Sequence, residues 1–140
     1  MNDWGLVSII TPTWNCAEYI EETVRSVLAQ TYVHWELIIY DDCSTDGTEA
    51  VVRPFVEADS RIKYFCNRQN SGAAVTRNHA LRVAGGRWVA FLDSDDLWMP
   101  QKLERHALKA NNECIPVTEK DRVIDFLPFT HIFERGWAYL

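Results

Sequence analysis

Leu6-Val7-Ser8-Ile9-Ile10, followed at once by Thr11-Pro12-Thr13, is the stretch that decides how this chain folds. It is rich in β-branched residues and lacks strict alternation, which suits a strand buried on both faces rather than a half-exposed edge strand. Thr11-Pro12-Thr13 reads as the end of that strand.

Outward from this strand the pattern alternates. Between residues 18 and 30 the apolar side chains Ile20, Val24, Val27 and Leu28 recur at i, i+4, i+7 and i+8, one stripe of an amphipathic helix. Residues 35–40 read as a second strand. It runs into Asp41-Asp42-Cys43-Ser44-Thr45-Asp46-Gly47, where Asp46 and Glu49 resemble a capping box that opens a second helix. Pro54 lies inside that helix pattern, where its missing N–H predicts a kink. Residues 61–65 form a short third strand. Asn70-Ser71-Gly72 reads as a turn and cap before a helix over 73–84, which Gly85-Gly86 stops. Residues 87–92 are a fourth strand, followed by Asp93-Ser94-Asp95-Asp96 and a helix with Pro100 near its first turn. Leu103, Ala107 and Ala110 lie along one face of that helix.

Strand–helix alternation of this kind implies right-handed crossovers and an α/β fold, a mostly parallel sheet with helices on both faces. The pattern covers residues 1–110. Residues 111–140 differ in kind: Pro116 and Pro128 interrupt them, periodicity is poor, and a strand near 123–127 is the one element they suggest.

Composition bounds the function. At 140 residues, 47% of them hydrophobic and six of them tryptophan, the chain can bury one core but hardly two. A net charge of −6 argues against a nucleic-acid-binding face, so no nucleic-acid partner is expected. Cys16, Cys43, Cys66 and Cys114 show no Cys-x-x-Cys pair, which fits reduced, mostly buried thiols in the cytosol. No basic segment followed by an apolar stretch opens the chain, and runs such as 88–92 are too short to span a bilayer. A soluble chain is therefore expected, with docking on a membrane surface and a place in a longer protein both left open.

In open parallel sheets, ligands bind beyond the carboxyl ends of the strands. Thr11-Pro12-Thr13, Asp41-Asp42 and Asp93-Ser94-Asp95-Asp96 each follow an apolar strand, so parallel strands would bring all three to one edge. The acidic segment suits a shared oxygen-seeking cation, Mn2+ or Mg2+, bridging to phosphate oxygens; Asp95 or Asp96 capping the next helix is the competing reading. Asp41 and Asp42 admit a base-recognition carboxylate, a metal site or a turn cluster. The head of Arg77 either reaches a diphosphate or one of the aspartates, or snorkels to solvent. His34, His79, His106 and His131 have no ligand spacing, and Trp14, Trp35, Trp88 and Trp98 read as core or pocket walls.

Taken together, Val7-Ser8-Ile9-Ile10-Thr11-Pro12-Thr13-Trp14-Asn15, Ser26-Val27-Leu28-Ala29-Gln30-Thr31 and Asp41-Asp42-Cys43-Ser44-Thr45-Asp46-Gly47-Thr48 carry a resemblance. They continue through Asn70-Ser71-Gly72, Arg77-Asn78 and Phe91-Leu92-Asp93-Ser94-Asp95-Asp96, covering residues 7 to about 110 in order. The set resembles the family 2 glycosyltransferases, of GT-A fold, whose Rossmann-like half binds a nucleotide sugar. The resemblance implies that Pro12, Thr13 and Asp42 contact base and ribose with Asp41 as a helper, that Arg77 lies near the donor, and that Ser94 belongs to the donor site. It implies that Asp93 and Asp95 hold the metal, Asp95 being the preferred direct ligand. Cys43 stands where the family commonly has glycine, which bears on the backbone of that turn.

The implied reaction moves a sugar from a nucleoside diphosphate, UDP being expected, to a hydroxyl of a glycan, a lipid-linked molecule or another acceptor, with inversion, as in polysaccharide biosynthesis. The family's catalytic base comes from a second half that has no matching segment here. Asp121, Asp125 and Glu134 lie in the tail, and no motif selects one. A nucleotide-sugar-binding fragment without turnover is the alternative. The expected setting is the cytoplasm, at the inner face of a membrane. Asp93-x-Asp95 superficially fits an aspartyl-nucleophile phosphatase, but there the motif normally follows the first strand and here it follows the fourth. A receiver-like reading of Asp41-Asp42 lacks a matching phospho-acceptor and lysine.

Overall fold

The structure, a computed structural model, describes residues 3–106. Ala107, Ala110, Cys114, His131, the strand expected near 123–127, the tail carboxylates and the boundary at residue 110 lie outside the described residues.

Seven elements alternate as expected: β1 (Val7–Thr13), α1 (Ile20–Leu28), β2 (Trp35–Asp41), α2 (Thr48–Ala58), β3 (Ile62–Cys66), α3 (Ala73–Val83) and β4 (Trp88–Phe91). All strand pairs are parallel, in the spatial order β3-β2-β1-β4. Successive side chains of a strand point to opposite faces, so β1 and β2 feed two cores. Ile9, Leu37 and Ile39 pack with Ile20, Val24 and Val27 of α1 and Val52 of α2. Ile10, Ile38 and Val89 pack with Ala80 of α3 on the other face. Burial on both sides explains the unalternating sequence of β1, and each such side chain contributes roughly 1.5–3 kcal/mol relative to an exposed one.

Several local expectations change. β1 does not end at Ile10 but runs through Thr11-Pro12-Thr13, paired with β2 as far as Thr13↔Asp41. Leu28, expected on the apolar stripe, is exposed at the end of α1, and the buried face is completed by Thr23 instead. The Asp46/Glu49 capping box does not form: α2 starts at Thr48 after Gly47, Asp46 accepts from the N–H and hydroxyl of Thr48, and Glu49 pairs with Arg53 one turn on. Helix α2 continues through Pro54; Ala50, whose carbonyl loses its partner there, is exposed and can be solvated. The last helix begins at Lys102, with Pro100 in the turn before it, and Leu103 is buried as its stripe requires. As expected of core or pocket-wall residues, Trp35 is in the core, Trp88 and Trp98 pack against it, and Trp14, though exposed, lines a cleft. The thiols are less buried than expected: Cys16 and Cys43 are half-buried, and Cys66 is exposed at the end of edge strand β3. No helix among the described residues is long and apolar enough to cross a membrane.

A polar clamp closes the amino edge of the sheet. The buried Glu36 carboxylate accepts from the Ser8 hydroxyl at 2.6 Å, the Lys63 ammonium at 2.6 Å and the Gly85 N–H at 2.7 Å. Burial pushes its carboxyl up, but these donors outweigh burial and hold it below its ordinary value. Gly86 donates to the Ser8 oxygen at 2.8 Å, and its backbone lies so close to β1 that a Cβ would sit 2.6 Å from the Ser8 nitrogen and 2.8 Å from the Leu6 carbonyl oxygen. At Gly85 a Cβ would meet only the Glu36 carboxylate, at 3.5 Å. In urea denaturation, Gly86→Ala is expected to lower stability by about 1–3 kcal/mol. Gly85→Ala should change it by less than about 0.5 kcal/mol.

Candidate functional site

The carboxyl edge of the sheet opens at Pro12. Bonds between β1 and β4 reach the Leu92 N–H on the Ile10 carbonyl at 3.0 Å. The next bond on that side would need an N–H at residue 12, which proline lacks. On the other side β1 stays paired, and the Asp42 N–H still donates to the Thr13 carbonyl at 2.8 Å. The two ladders therefore end at different heights, and the gap between β1 and β4 lies where the strand order reverses.

Asp42 is buried beside this gap. Its Oδ1 accepts from the Asn67 side-chain amide at 2.8 Å and the Ser71 N–H at 2.7 Å, and its Oδ2 accepts from the Gly72 N–H at 2.8 Å. Gly72 has φ 88 and ψ 158, a backbone region open essentially to glycine, and this lets its N–H turn back onto the carboxylate. Burial raises the Asp42 carboxyl, yet these bonds prevail and hold it below its ordinary value, so it is an anion at neutral pH. A carboxylate offers about four acceptor positions. With three taken, Oδ2 keeps one for a ligand. Asn70-Ser71-Gly72 thus does more than cap α3: it supplies donors to Asp42. Asn67 and the buried Thr76 behind it, joined at 2.9 Å, had no signal in the sequence.

A cleft of about 380 Å³ opens over this carboxylate, walled by Pro12, Thr13 and Trp14 on one side and by Asn70, Gly72, Ala73 and Thr76 on the other. It brings together Pro12, Thr13 and Asp42 of the candidate residues. Asp41 is not in its wall. The Asp41 carboxylate is fully buried, accepting from the Ser44 N–H at 2.7 Å and the Tyr64 hydroxyl at 2.7 Å. Burial, and then the bond to Asp41, push the Tyr64 hydroxyl well above its ordinary pKa. Asp41 ties the turn after β2 to β3 and reaches the cleft only through that turn. Cys43 in the same turn takes φ 65, the left-handed conformation that glycine adopts more cheaply. The turn is also laced to the loop after β1: the Asn15 N–H donates to Ser44, Thr45 to Asn15, and Ala17 to Asp46.

The acidic segment forms a turn after β4, closed by the Asp96 N–H on the Asp93 carbonyl at 3.1 Å. Buried Ser94 locks it, its hydroxyl 2.9 Å from the Cys16 sulfur and its carbonyl accepting from the Thr23 hydroxyl at 3.0 Å. Asp93 and Asp96 are half-buried and Asp95 is exposed. The next helix starts at Lys102, too far along the chain for Asp95 or Asp96 to cap it. Among the described residues no three His, Cys, Asp or Glu side chains form a ready-made metal cage. Two carboxylates on one turn nevertheless suit Mg2+ or Mn2+, which bind through one or two carboxylates and complete their shell with water and phosphate oxygens. Arg77 lies with its guanidinium carbon 5.3 Å from the Phe91 ring centroid, and its buried Nε has no hydrogen-bond partner.

Because the folded Asp42 pKa is depressed, its carboxylate contributes stability that is present above the ordinary carboxylate range and lost as pH falls through the lower folded value. Asp42→Asn would set an amide group against at least one of the backbone donors. It is expected to cost about 2 kcal/mol in urea denaturation at neutral pH, a difference that shrinks in acid.

The description Glycosyl transferase family 2 matches residues 8–125. A relative from Escherichia coli, UDP-Glc:alpha-D-GlcNAc-diphosphoundecaprenol beta-1,3-glucosyltransferase WfgD, is 51% identical over 104 residues, 74% of this chain and 40% of the relative. The crystal structure of S. aureus TarS 1-349 in complex with UDP-GlcNAc is 34% identical, with a TM-score of 0.71 over 76% of this chain and 31% of that one. Mannosyltransferase PcManGT from Pyrobaculum calidifontis, in complex with GDP-Man and Mn2+, is 33% identical, with a TM-score of 0.69 over 75% of this chain and 32% of that one. The chain spans about two fifths of the length of the curated relatives it matches. With the GT-A likeness in the fold and a match over most of its residues, the chain belongs to glycosyl transferase family 2.

Proposed function

We propose that this chain is the donor-binding part of an inverting glycosyltransferase that moves a sugar from a UDP-linked donor to an acceptor hydroxyl. The observation that carries the reading is the cleft whose floor is the buried, ionised Asp42 and whose wall is Pro12-Thr13, opening at the strand-order reversal. In that position Asp42 Oδ2 would accept an N–H of the base. Asp41 would help indirectly, by holding the turn that presents Asp42. Arg77, with its unpartnered Nε, is the cation for the diphosphate, and Ser94 fixes the turn that carries the acidic residues. Asp95, with Asp93, would hold Mn2+ or Mg2+; the ion supplies positive charge that stabilises the departing diphosphate. The Mn2+ and nucleotide sugars bound to structural relatives support these assignments.

The acceptor hydroxyl belongs to a glycan or a lipid-linked sugar, as the name of the Escherichia coli relative indicates for that protein. A lipid-linked acceptor would place the protein in the cytoplasm against the inner face of a membrane. The base that takes the acceptor's proton is not assigned to any described residue. A donor-binding module without turnover is the second reading; release of UDP from UDP-sugars in the presence of acceptors would exclude it.

Calorimetric titration with UDP is the test. Binding should require Mn2+ and weaken about tenfold or more in Asp95→Ala, the equivalent of one charge-assisted contact. Asp42→Asn should weaken UDP binding at every Mn2+ concentration. Absence of UDP binding with and without the ion would overturn the reading.

A further inference from the structure

We propose that a second cleft, on the α3 face of the sheet beside edge strand β3, binds a phosphorylated small molecule. The cleft holds about 600 Å³ and shares no wall residue with the cleft over Asp42. Its cationic groups come from two elements, Arg68 on the loop after β3 and Arg82 on α3, and His79 lies three residues before Arg82 on the same side of that helix. No Asp or Glu lines it. That is unusual placement in a chain with 20 acidic and 14 basic residues. Arg25, Arg53 and Arg61 each lie against a carboxylate, and Arg77 and Arg87 lie over aromatic rings. Among the described residues Arg68, Arg82 and Arg105 have no such partner, and the first two of these share the cleft.

The wall behind these cations is built rather than loose. The Tyr40 ring stacks on Phe65 at 5.5 Å and meets His79 at 5.7 Å. The buried Asn67 amide spends its N–H groups on Asp42 and Thr76, so its oxygen must accept, and the His79 Nδ1, 2.7 Å away, must donate. The other imidazole nitrogen, Nε2, is thereby the ring's acceptor, able to take the O–H of a hydrogen phosphate. Two guanidinium forks and an imidazole acceptor match the oxygens and the hydroxyl of a hydrogen phosphate, and the Tyr40 ring offers an apolar surface to the group that carries it. Asn67 walls this cleft and also holds Asp42, so occupancy would be felt at the donor carboxylate. That link rests on the donor-site reading; the phosphate site itself does not.

The test is an NMR titration of the full 140-residue chain with inorganic phosphate in the absence of divalent metal. Saturable shifts are expected at the amides of Arg68, Gln69, His79 and Arg82, with at least about tenfold weaker binding in the Arg68→Gln/Arg82→Gln double variant. An otherwise unchanged spectrum would show that the double variant is folded. No saturable shift, equal shifts in the double variant, or shifts confined to residues around Asp42 would each overturn the proposal. Calorimetry with UDP and Mn2+ on Asp42→Asn reads the donor cleft separately, so failure there leaves this result standing.

Discussion

The architecture of the carboxyl edge depends on a hydrogen bond that β1 cannot make. Pro12 stays in the strand because its partner on the β2 side needs nothing from residue 12, whose backbone faces β4. The pairing with β2 therefore continues to Thr13 while the pairing with β4 stops at Ile10. A residue with an N–H at this position would have a donor to place between the strand ends, where a ligand otherwise fits. The gap lies where the chain, having built outward through β2 and β3, crosses to the other side of β1, so its two flanks can differ in chemistry.

One flank is a buried charge. Isolated, the Asp42 carboxylate would be costly in so dry a place. It is kept ionised by Asn67 and two consecutive backbone N–H groups, and those groups can converge only because Gly72 takes a conformation closed to other residues. Asp41, adjacent in sequence, is spent on Ser44 and Tyr64 below the turn. Period-two alternation separates their tasks: one side chain goes down into the α1–α2 core face, and the next lies at the cleft.

The other flank is the turn after β4. It carries three carboxylates in four positions, and the fold restrains it from behind, through Ser94 held by Cys16 and by Thr23 of α1. Thr23 shows how a position within an apolar helical stripe serves the site. Its hydroxyl is buried because it faces the Ser94 carbonyl, whereas Leu28 on the expected stripe faces solvent. The loops after β1 and β2 are likewise bound to each other by Asn15, Ser44 and Asp46 before any ligand arrives.

Much of this was legible in the residues. Unbroken β-branched runs bounded by turn formers follow from burial on both faces, so the alternating α/β order and the parallel sheet could be read from local pattern, and with parallel strands the polar segments had to meet at one edge. Helix starts were less legible, because Asp46 caps from outside the helix and Gly47 and Gly72 occupy the cap positions without side-chain bonds. What sequence determined alone was therefore which segments converge, since strand direction and periodicity are local properties. Only the tertiary structure decided which of two neighbouring aspartates faces the cleft, that Asn67 and Thr76 support it, and that Arg68, His79 and Arg82 share a second cleft. Those outcomes depend on contacts between residues distant in the chain, which local spacing does not encode.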